Sequence, residues 1–483
     1  MSFIPSSDQD KTAFGELAVA ERTPIVQAAA QYGVGSKMRT ITSGTGATAG
    51  ANTESEFYCS SGTTTSGLGT IFSKDACHYK PGQGLLGEMT ARFPVTPVAD
   101  CRLSVGLLNA TDSLGFGYIG TDFGIIRTAY GQQEIYDLTI TTFASGAEAA
   151  SVTIESVVYT VNLTGVGTLV GDAREIADSL SLEAGLALWS FQQIGDGVVI
   201  RSLLGQPASG AFSYSSSSSV GNMVQRVAGV TPTVELIAQA DWNTSVAAWL
   251  DPSKGNVYRV QMQYLGFGDI DFEIEDPETG KFTLVHKIKY ANTAVRPSMS
   301  QPSYRIGYVA ANSGSTTDSA VYGGSVATFI EGKNEHTEAV HAELNFKTGV
   351  GLTATNILTL QNRQTFGTKV NLGDILPWAL SVSTDQGSKS VIIEVRMNAV
   401  VAGVPDFDYH DQLVSIAVQD TAGTTVTGGE LITAIILADK SSEVIDLHQW
   451  DVHVLPGDSI TISGRTTTGT ADVLAAVMWK EDL

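Results

Sequence analysis

The chain has 483 residues, with 50 acidic against 28 basic side chains, a net charge of −22 and a charged fraction of only 16%. That length admits several domains with sizeable cores. The acidic balance opposes binding to nucleic acid or an anionic membrane, and no Lys/Arg cluster offsets it locally.

Fifty glycines, abundant Ser and Thr and many short alternating runs describe a mainly β protein with many turns. Cys59, Cys77 and Cys101 are too few and odd in number for a disulfide framework, which points to a reducing cytosol, although one pair could still bridge. The opening MSFIPSSDQDKT lacks a basic segment followed by an apolar run, and no stretch reaches 18 consecutive apolar residues. Neither a secretory signal nor a membrane span is expected.

In chain order, residues 1–12 read as a polar arm and 42–75 as a Gly/Ser/Thr-rich passage. Short strands separated by glycines occupy 77–95 and 101–131. An inserted module spans 135–232, with strands at Ser151 to Glu155, Val157 to Leu163, Trp189 to Gln193 and Val198 to Ser202. Its helix is read from Ala173, Ile176, Ala177, Leu180 and Ala184 at helical spacing, with Asp172 favouring the N-terminus. The run Ser215 to Ser219 reads as a flexible loop.

The clearest pattern is a meander over 256–290. Tyr258, Val260, Met262 and Tyr264 share one face, and pairing around Asp276 to Gly280 sets Ile274 opposite Phe282, Phe272 opposite Leu284 and Ile270 opposite His286. The same register sets Glu275 against Lys281 and Asp269 against Lys287. Beyond 333, strands are expected near Val391 to Arg396, Leu413 to Val418, Leu431 to Leu437, Ile460 to Ser463 and Val473 to Trp479, at the short spacing of a sandwich.

Candidate chemistry is weak throughout. Gly82-Gln83-Gly84-Leu85-Leu86-Gly87 matches a dinucleotide loop, but the run MTARFPV just after it alternates as a strand where a helix N-terminus is needed. Gly457-Asp458-Ser459 comes after Pro456 and runs into Ile460 and Ile462, a turn entering a strand; a nucleophilic Ser needs a positioned base, for which His448 and His453 are the nearby candidates. The pairs His336/His341 and His448/His453 are five apart, and Cys77-His78 is equally far from a metal-ligand spacing.

His286 falls on the apolar face of the meander, where a buried imidazole hydrogen-bonded to backbone is expected. Asp269, Asp271, Glu273 and Glu275 form an acidic row whose alternate members lie about 7 Å apart. That distance suits calcium or a glycosidase pair, but lysine partners favour a solvated face. Trp189, Trp242, Trp249 and Tyr214 are aromatics that could stack on a glycan, although Trp in a β-rich chain is more often core. No catalytic, cofactor-binding or metal-ligating residue is assigned.

Several segments, taken as an ordered set, resemble a family of virion structural proteins of tailed bacteriophages and some large DNA viruses: FGELAV with TPIVQ, YKPGQGLLGEMTARF, VGLLNATDSLGFGYIGTDFGIIR, VQMQYLGFGDIDFEIED, LVHKIKYAN and SVATFIEG. Tail-associated members commonly begin with an FGRL-V-like signature; here Glu16 stands where many have a basic residue. The resemblance covers residues 13–332, and ILPWALSVSTDQGSKSVIIEVRMNAVVAG and AAVMWKEDL are similar as well.

The expected organisation is two β-sandwich, jelly-roll-like domains. The first is discontinuous, 13–134 plus 233–332, split by the small α+β insert at 135–232, and the second spans 333–483. The resemblance implies a non-enzymatic tail, fibre or head-attached component of a virion, assembled in the host cytoplasm, bound to other virion proteins and homo-oligomeric, with a trimer favoured. The alternative is a receptor- or glycan-binding module for host attachment; a depolymerase is a third reading.

Overall fold

A computed structural model describes residues 21–109, 111–205, 207–332, 340–384, 389–450 and 452–483. The expected arm at 1–12, the FGELAV segment with Glu16, and His336 lie outside them. The protein is mainly β, its strands paired antiparallel, with one α-helix among the described residues. The chain divides into two compact units, Met1–Asn109, Ser113–Arg127 and Glu235–Glu335 forming one, and Ala110–Asp112, Thr128–Val234 and His336–Leu483 the other.

In the first unit a six-stranded sheet runs in the order Arg22–Ala29, Ser325–Glu331, Leu85–Ala91, Asn256–Met262, Ile270–Glu275, Phe282–Ile288. A seven-stranded sheet runs Thr233–Ala238, Asp122–Ala129, Ser113–Ile119, Cys101–Leu108, Arg305–Asn312, Leu68–Ser73, Met38–Ser43. Period-two alternation sends Tyr258, Val260 and Met262 inward from the first sheet and Leu103, Val105 and Phe116 from the second, into one apolar core. At its centre Phe116 meets Tyr258 at 4.8 Å, Phe272 at 5.7 Å and Trp242 at 6.1 Å between ring centroids.

Gly307, Gly106 and Gly115 lie side by side across three strands of the seven-stranded sheet. A Cβ on Gly106 would stand 2.2 Å from the Leu114 carbonyl oxygen, and one on Gly307 2.1 Å from that of Ile71. The strands pass too close there for any side chain, which is why glycine recurs in VGLL, LGFG and RIGY.

The meander forms with a different register from the one the alternation predicts. Tyr258 pairs with Ile274 and Val260 with Phe272, but the next pairing sets Glu275 opposite Phe282, Glu273 opposite Leu284 and, past a bulge, Phe272 opposite His286 and Ile270 opposite Ile288. Six residues, Asp276 to Lys281, close the turn: the Asp276 carboxylate accepts from the backbone N–H groups of Glu278 and Thr279, and Gly280 N–H donates to Asp276 O. This loop shifts the strand by one residue and so turns Phe282 to the outer face, where Arg259 lies over its ring at 3.4 Å. The bulge then restores the inward face, burying Val285 and His286 together. Glu275 therefore faces Phe282 and not Lys281, and Lys287 bonds Asp271 at 3.0 Å more closely than Asp269 at 3.9 Å.

In the second unit the helix Leu169–Ser181 starts at Thr168, whose hydroxyl accepts from Gly171 N–H, and buries Ala173, Ile176, Ala177 and Leu180. Asp172 is buried in its first turn and accepts from Ala144 N–H at 2.7 Å; Ala184 lies beyond it in the 3-10 turn Ala184–Leu186. The helix covers strands including Ile135–Thr142, Glu148–Ile154, Val157–Leu163, Trp189–Ile194 and Gly197–Ser202.

The run Ser215 to Ser219 is built around Glu148: the hydroxyls of Ser216, Ser217 and Ser218 and the N–H of Ser219 all donate to its carboxylate. The serine-rich composition that suggests a loose linker instead supplies short donors to one acceptor. Those donors, Ser216 and Ser217 first, pull the Glu148 carboxyl down to about 2.

Residues 336–483 add a four-stranded sheet, His341–Val350, Ala471–Asp482, Asp374–Thr384, Ser442–Asp446. A six-stranded one runs Asp408–Tyr409, Ala417–Asp420, Thr355–Asn362, Ser459–Thr466, Val391–Met397, Glu430–Leu437. They enclose Leu358, Leu360, Leu380, Ile393, Ile462, Val477 and Trp479.

Leu413 and Val414 are not strand, because their N–H groups donate to the Asp411 carboxylate and fold the segment into a turn; the strand begins at Ala417. The segment read as an insert shares its unit with the C-terminal sandwich. Gln192 donates to Gln361 and Asn362 O, Gln364 N–H donates back to Gln192, Arg201 donates to Gln364 O, and Ile135, Ile194, Val199 and Val227 pack with Phe407 and Val418.

Candidate interaction surface

The residues singled out for chemistry are held in structural roles. Gly84 leads directly into the strand Leu85–Ala91, and a Cβ on Gly87 would stand 2.7 Å from Leu107, so this glycine run serves sheet packing. Ser459 opens the strand Ser459–Thr466 and its N–H donates to Asn398. His448 packs on Trp378 at 4.3 Å and His453 meets Asp374 at 3.1 Å.

The acidic row is threaded with cations: Arg259 bonds Glu273 at 3.0 Å and Lys287 bonds Asp271. Among the described residues no group of three or more His, Cys, Asp or Glu could hold a metal ion. Cys59, Cys77 and Cys101 are buried thiols outside any disulfide, and Trp189 and Trp242 belong to the cores. Trp249 is half-buried against the first core, and Tyr214 donates to Ser219.

His286 takes the place expected of it. It is buried, and its Nδ1 accepts from Asn243 N–H at 3.2 Å. Burial, opposed by the charge of Glu235, lowers its pKa below the ordinary 6.5. The folded state then takes up a proton less readily than the unfolded chain, so this contribution to stability is full above pH 6.5 and is lost as pH falls below it. The melting temperature of the wild type is expected to drop between pH 7.5 and 5.5 by more than that of His286→Gln; equal drops would contradict the assignment.

The outer sheet faces differ in character, and that difference locates the candidate surface. On the six-stranded sheet of the first unit Glu88, Arg259 and Glu273 form a ladder of ion pairs across neighbouring strands, and Arg22 reaches Glu88 across the intervening strand Ser325–Glu331. On the six-stranded sheet of the second unit Glu394 accepts from Arg396 at 2.9 Å and Arg465 at 3.2 Å. Burial would raise the Glu394 carboxyl, but these two arginines hold it below the usual range.

The outer face of the four-stranded sheet carries no comparable ladder among the described residues. One row across it is Phe346, Leu474, Ser383, Ser442; the next is Leu344, Ala476, Ser381, Val444; the third is Ala342, Met478, Ala379, Asp446. Leu344 is 63% exposed, Val444 66%, Phe346 47% and Leu474 38%. Fully covering a Val, Leu or Phe side chain is worth about 1.5–3 kcal/mol, less here where part is already covered, so a partner on this face would gain several kcal/mol.

Beneath this face the sheet is rigidly anchored. Trp479 is fully buried, its indole N–H donates to Glu481 at 2.9 Å, and Glu481 also accepts from Ser415 Oγ at 2.6 Å and Ile416 N–H at 2.8 Å. His341 stacks on Trp479 at 5.7 Å, and His410 packs on it edge-on at 4.8 Å while meeting Glu343 at 3.2 Å.

The fold and this surface define a mainly β protein with an exposed apolar sheet face. Compared with protein-family models and with curated proteins, the chain matches none. No helix among the described residues is long and apolar enough to cross a membrane.

Proposed function

We propose that this chain is a non-enzymatic structural protein of a tailed-bacteriophage virion, a tail, fibre or head-attached component that binds neighbouring subunits and presents an outer surface. The resemblance in ordered segments from TPIVQ to SVATFIEG supports it at the level of sequence. The observation that carries it is the apolar face of Leu344, Phe346, Val444 and Leu474 on a chain of net charge −22. A surplus of negative charge keeps free copies apart in solution, whereas a cluster of exposed apolar side chains on one sheet face marks a surface that a partner covers. In this reading the face packs on other virion proteins or on further copies of the chain, in a homo-oligomer that the resemblance favours as a trimer.

Peptide mass spectrometry of density-purified particles tests the proposal. The chain is expected in a fixed ratio to the other structural proteins after high-salt washing. Its absence from washed particles would contradict a structural role.

A further inference from the structure

The strand His341–Val350 is the end strand of the four-stranded sheet, paired with Ala471–Asp482 on one side. Among the described residues its backbone makes no other backbone hydrogen bonds. An end strand with an unpaired backbone edge is a template for another strand. Here the sequence HAELNFKTGV places Leu344 and Phe346 outward, both exposed. It also places Glu343, Asn345 and Lys347 on the other face, where Asn345 donates to Ile357 O and Lys347 to Thr421 O and Gly423 O.

We infer that this edge pairs with the same edge of a second copy, antiparallel about a two-fold axis through Asn345, making one continuous eight-stranded sheet from two four-stranded ones. Centring on Asn345 sets Leu344 of each copy opposite Phe346 of the other, and Glu343 opposite Lys347. Both apolar pairs and both opposite-charge pairs form at once.

Neighbouring registers lose this match. Centring on Leu344 puts Lys347 opposite His341 and Glu343 opposite Asn345. Centring on Phe346 puts Leu344 opposite Thr348 and Glu343 opposite Gly349. A shift by one residue would place the exposed apolar row of one copy on the packed face of the other. The contact is neutral in charge, so it adds no repulsion to a chain that is strongly acidic elsewhere. It goes beyond the trimer that the resemblance favours, since a two-fold contact closes as a dimer, and it rests only on the proposed association between copies of the chain.

The test is sedimentation of the purified full chain over a range of concentrations, with amide hydrogen exchange at 341–347. The wild type is expected to dimerise, with exchange in this strand slowing as concentration rises. Glu343→Lys, which sets like charges opposite twice, is expected to weaken the dimer by roughly tenfold or more, and the double variant Glu343→Lys/Lys347→Glu to restore it.

Glu343 and Lys347 also bond within the chain. Leu344→Lys, at a site 63% exposed, is therefore the second probe and is expected to give monomer, with the melting temperature that the wild type has at concentrations where it is monomeric. A wild type that stays monomeric, or a dimer indifferent to Leu344→Lys and to the charge exchange, would overturn the inference. Neither result touches the presence of the chain in particles, which is measured separately.

Discussion

Phe116→Ala is expected to destabilise the first unit by about 3–5 kcal/mol, the range for removing a buried aromatic ring without refilling its space. Phe116 is fully buried, and it joins the two sheets by touching Tyr258 and Phe272 from the facing strands and Trp242 from the loop between them. Tyr258, fully buried, and Trp242, whose indole N–H is fixed to Ile237 O at 3.2 Å, have little freedom to collapse into the gap. Phe116→Leu retains most of the volume and is expected to cost less than half as much. Chemical denaturation followed by tryptophan fluorescence measures both, and a loss for Phe116→Ala below about 1.5 kcal/mol, the level of a well-tolerated swap, would show that this ring is not the joint between the sheets.

The second large effect belongs to the other unit. Glu481→Ala is expected to cost about 3–5 kcal/mol, because it leaves three buried donors, Trp479 Nε1, Ser415 Oγ and Ile416 N–H, without an acceptor. Glu481→Gln keeps the shape but replaces one acceptor oxygen with an NH2 group facing donors, so it is expected to be destabilising as well, by about 1–3 kcal/mol. The outcome reaches beyond stability. Glu481 fixes the Trp479 indole, and His341 and His410 pack on that ring at the base of the free edge strand. Glu481→Gln is therefore expected to raise hydrogen exchange along 341–347 before the unit unfolds as a whole; exchange that changes only with global unfolding would separate the carboxylate from the edge.

Much of the fold was legible because alternation is a local signal. Tyr258, Val260 and Met262, Ile270, Phe272 and Ile274, and the helix face of Ala173, Ile176, Ala177 and Leu180 all follow from spacing alone. The register of the last meander pair was not, since it depends on how many residues the Asp276 turn consumes and on a bulge at Val285 and His286 that no periodicity announces. Nor was the grouping of 128–234 with 336–483, which rests on contacts between residues far apart in sequence, such as Gln192 with Gln361 and Arg201 with Gln364.

The buried state of His286 was readable from its place on an apolar face, and the structure adds the donor, Asn243 N–H. The apolar surface was missed although part of its signal is present. In HAELNFKTGV the apolar residues Ala342, Leu344 and Phe346 alternate with Glu343, Asn345 and Lys347, which reads as core on one side and solvent on the other. The structure reverses it: the polar row faces the sandwich and bonds to backbone carbonyls, and the apolar row faces out. Period two reveals that two faces differ, not which of them is inside.

Electron cryo-microscopy of purified particles tests the central claim most directly, because it reports both whether the chain is there and which of its surfaces are covered. The account predicts ordered, symmetric copies in which Leu344, Phe346, Val444 and Leu474 are buried against a neighbouring subunit. Copies that leave this sheet face open to solvent, or particles without the chain, would contradict it.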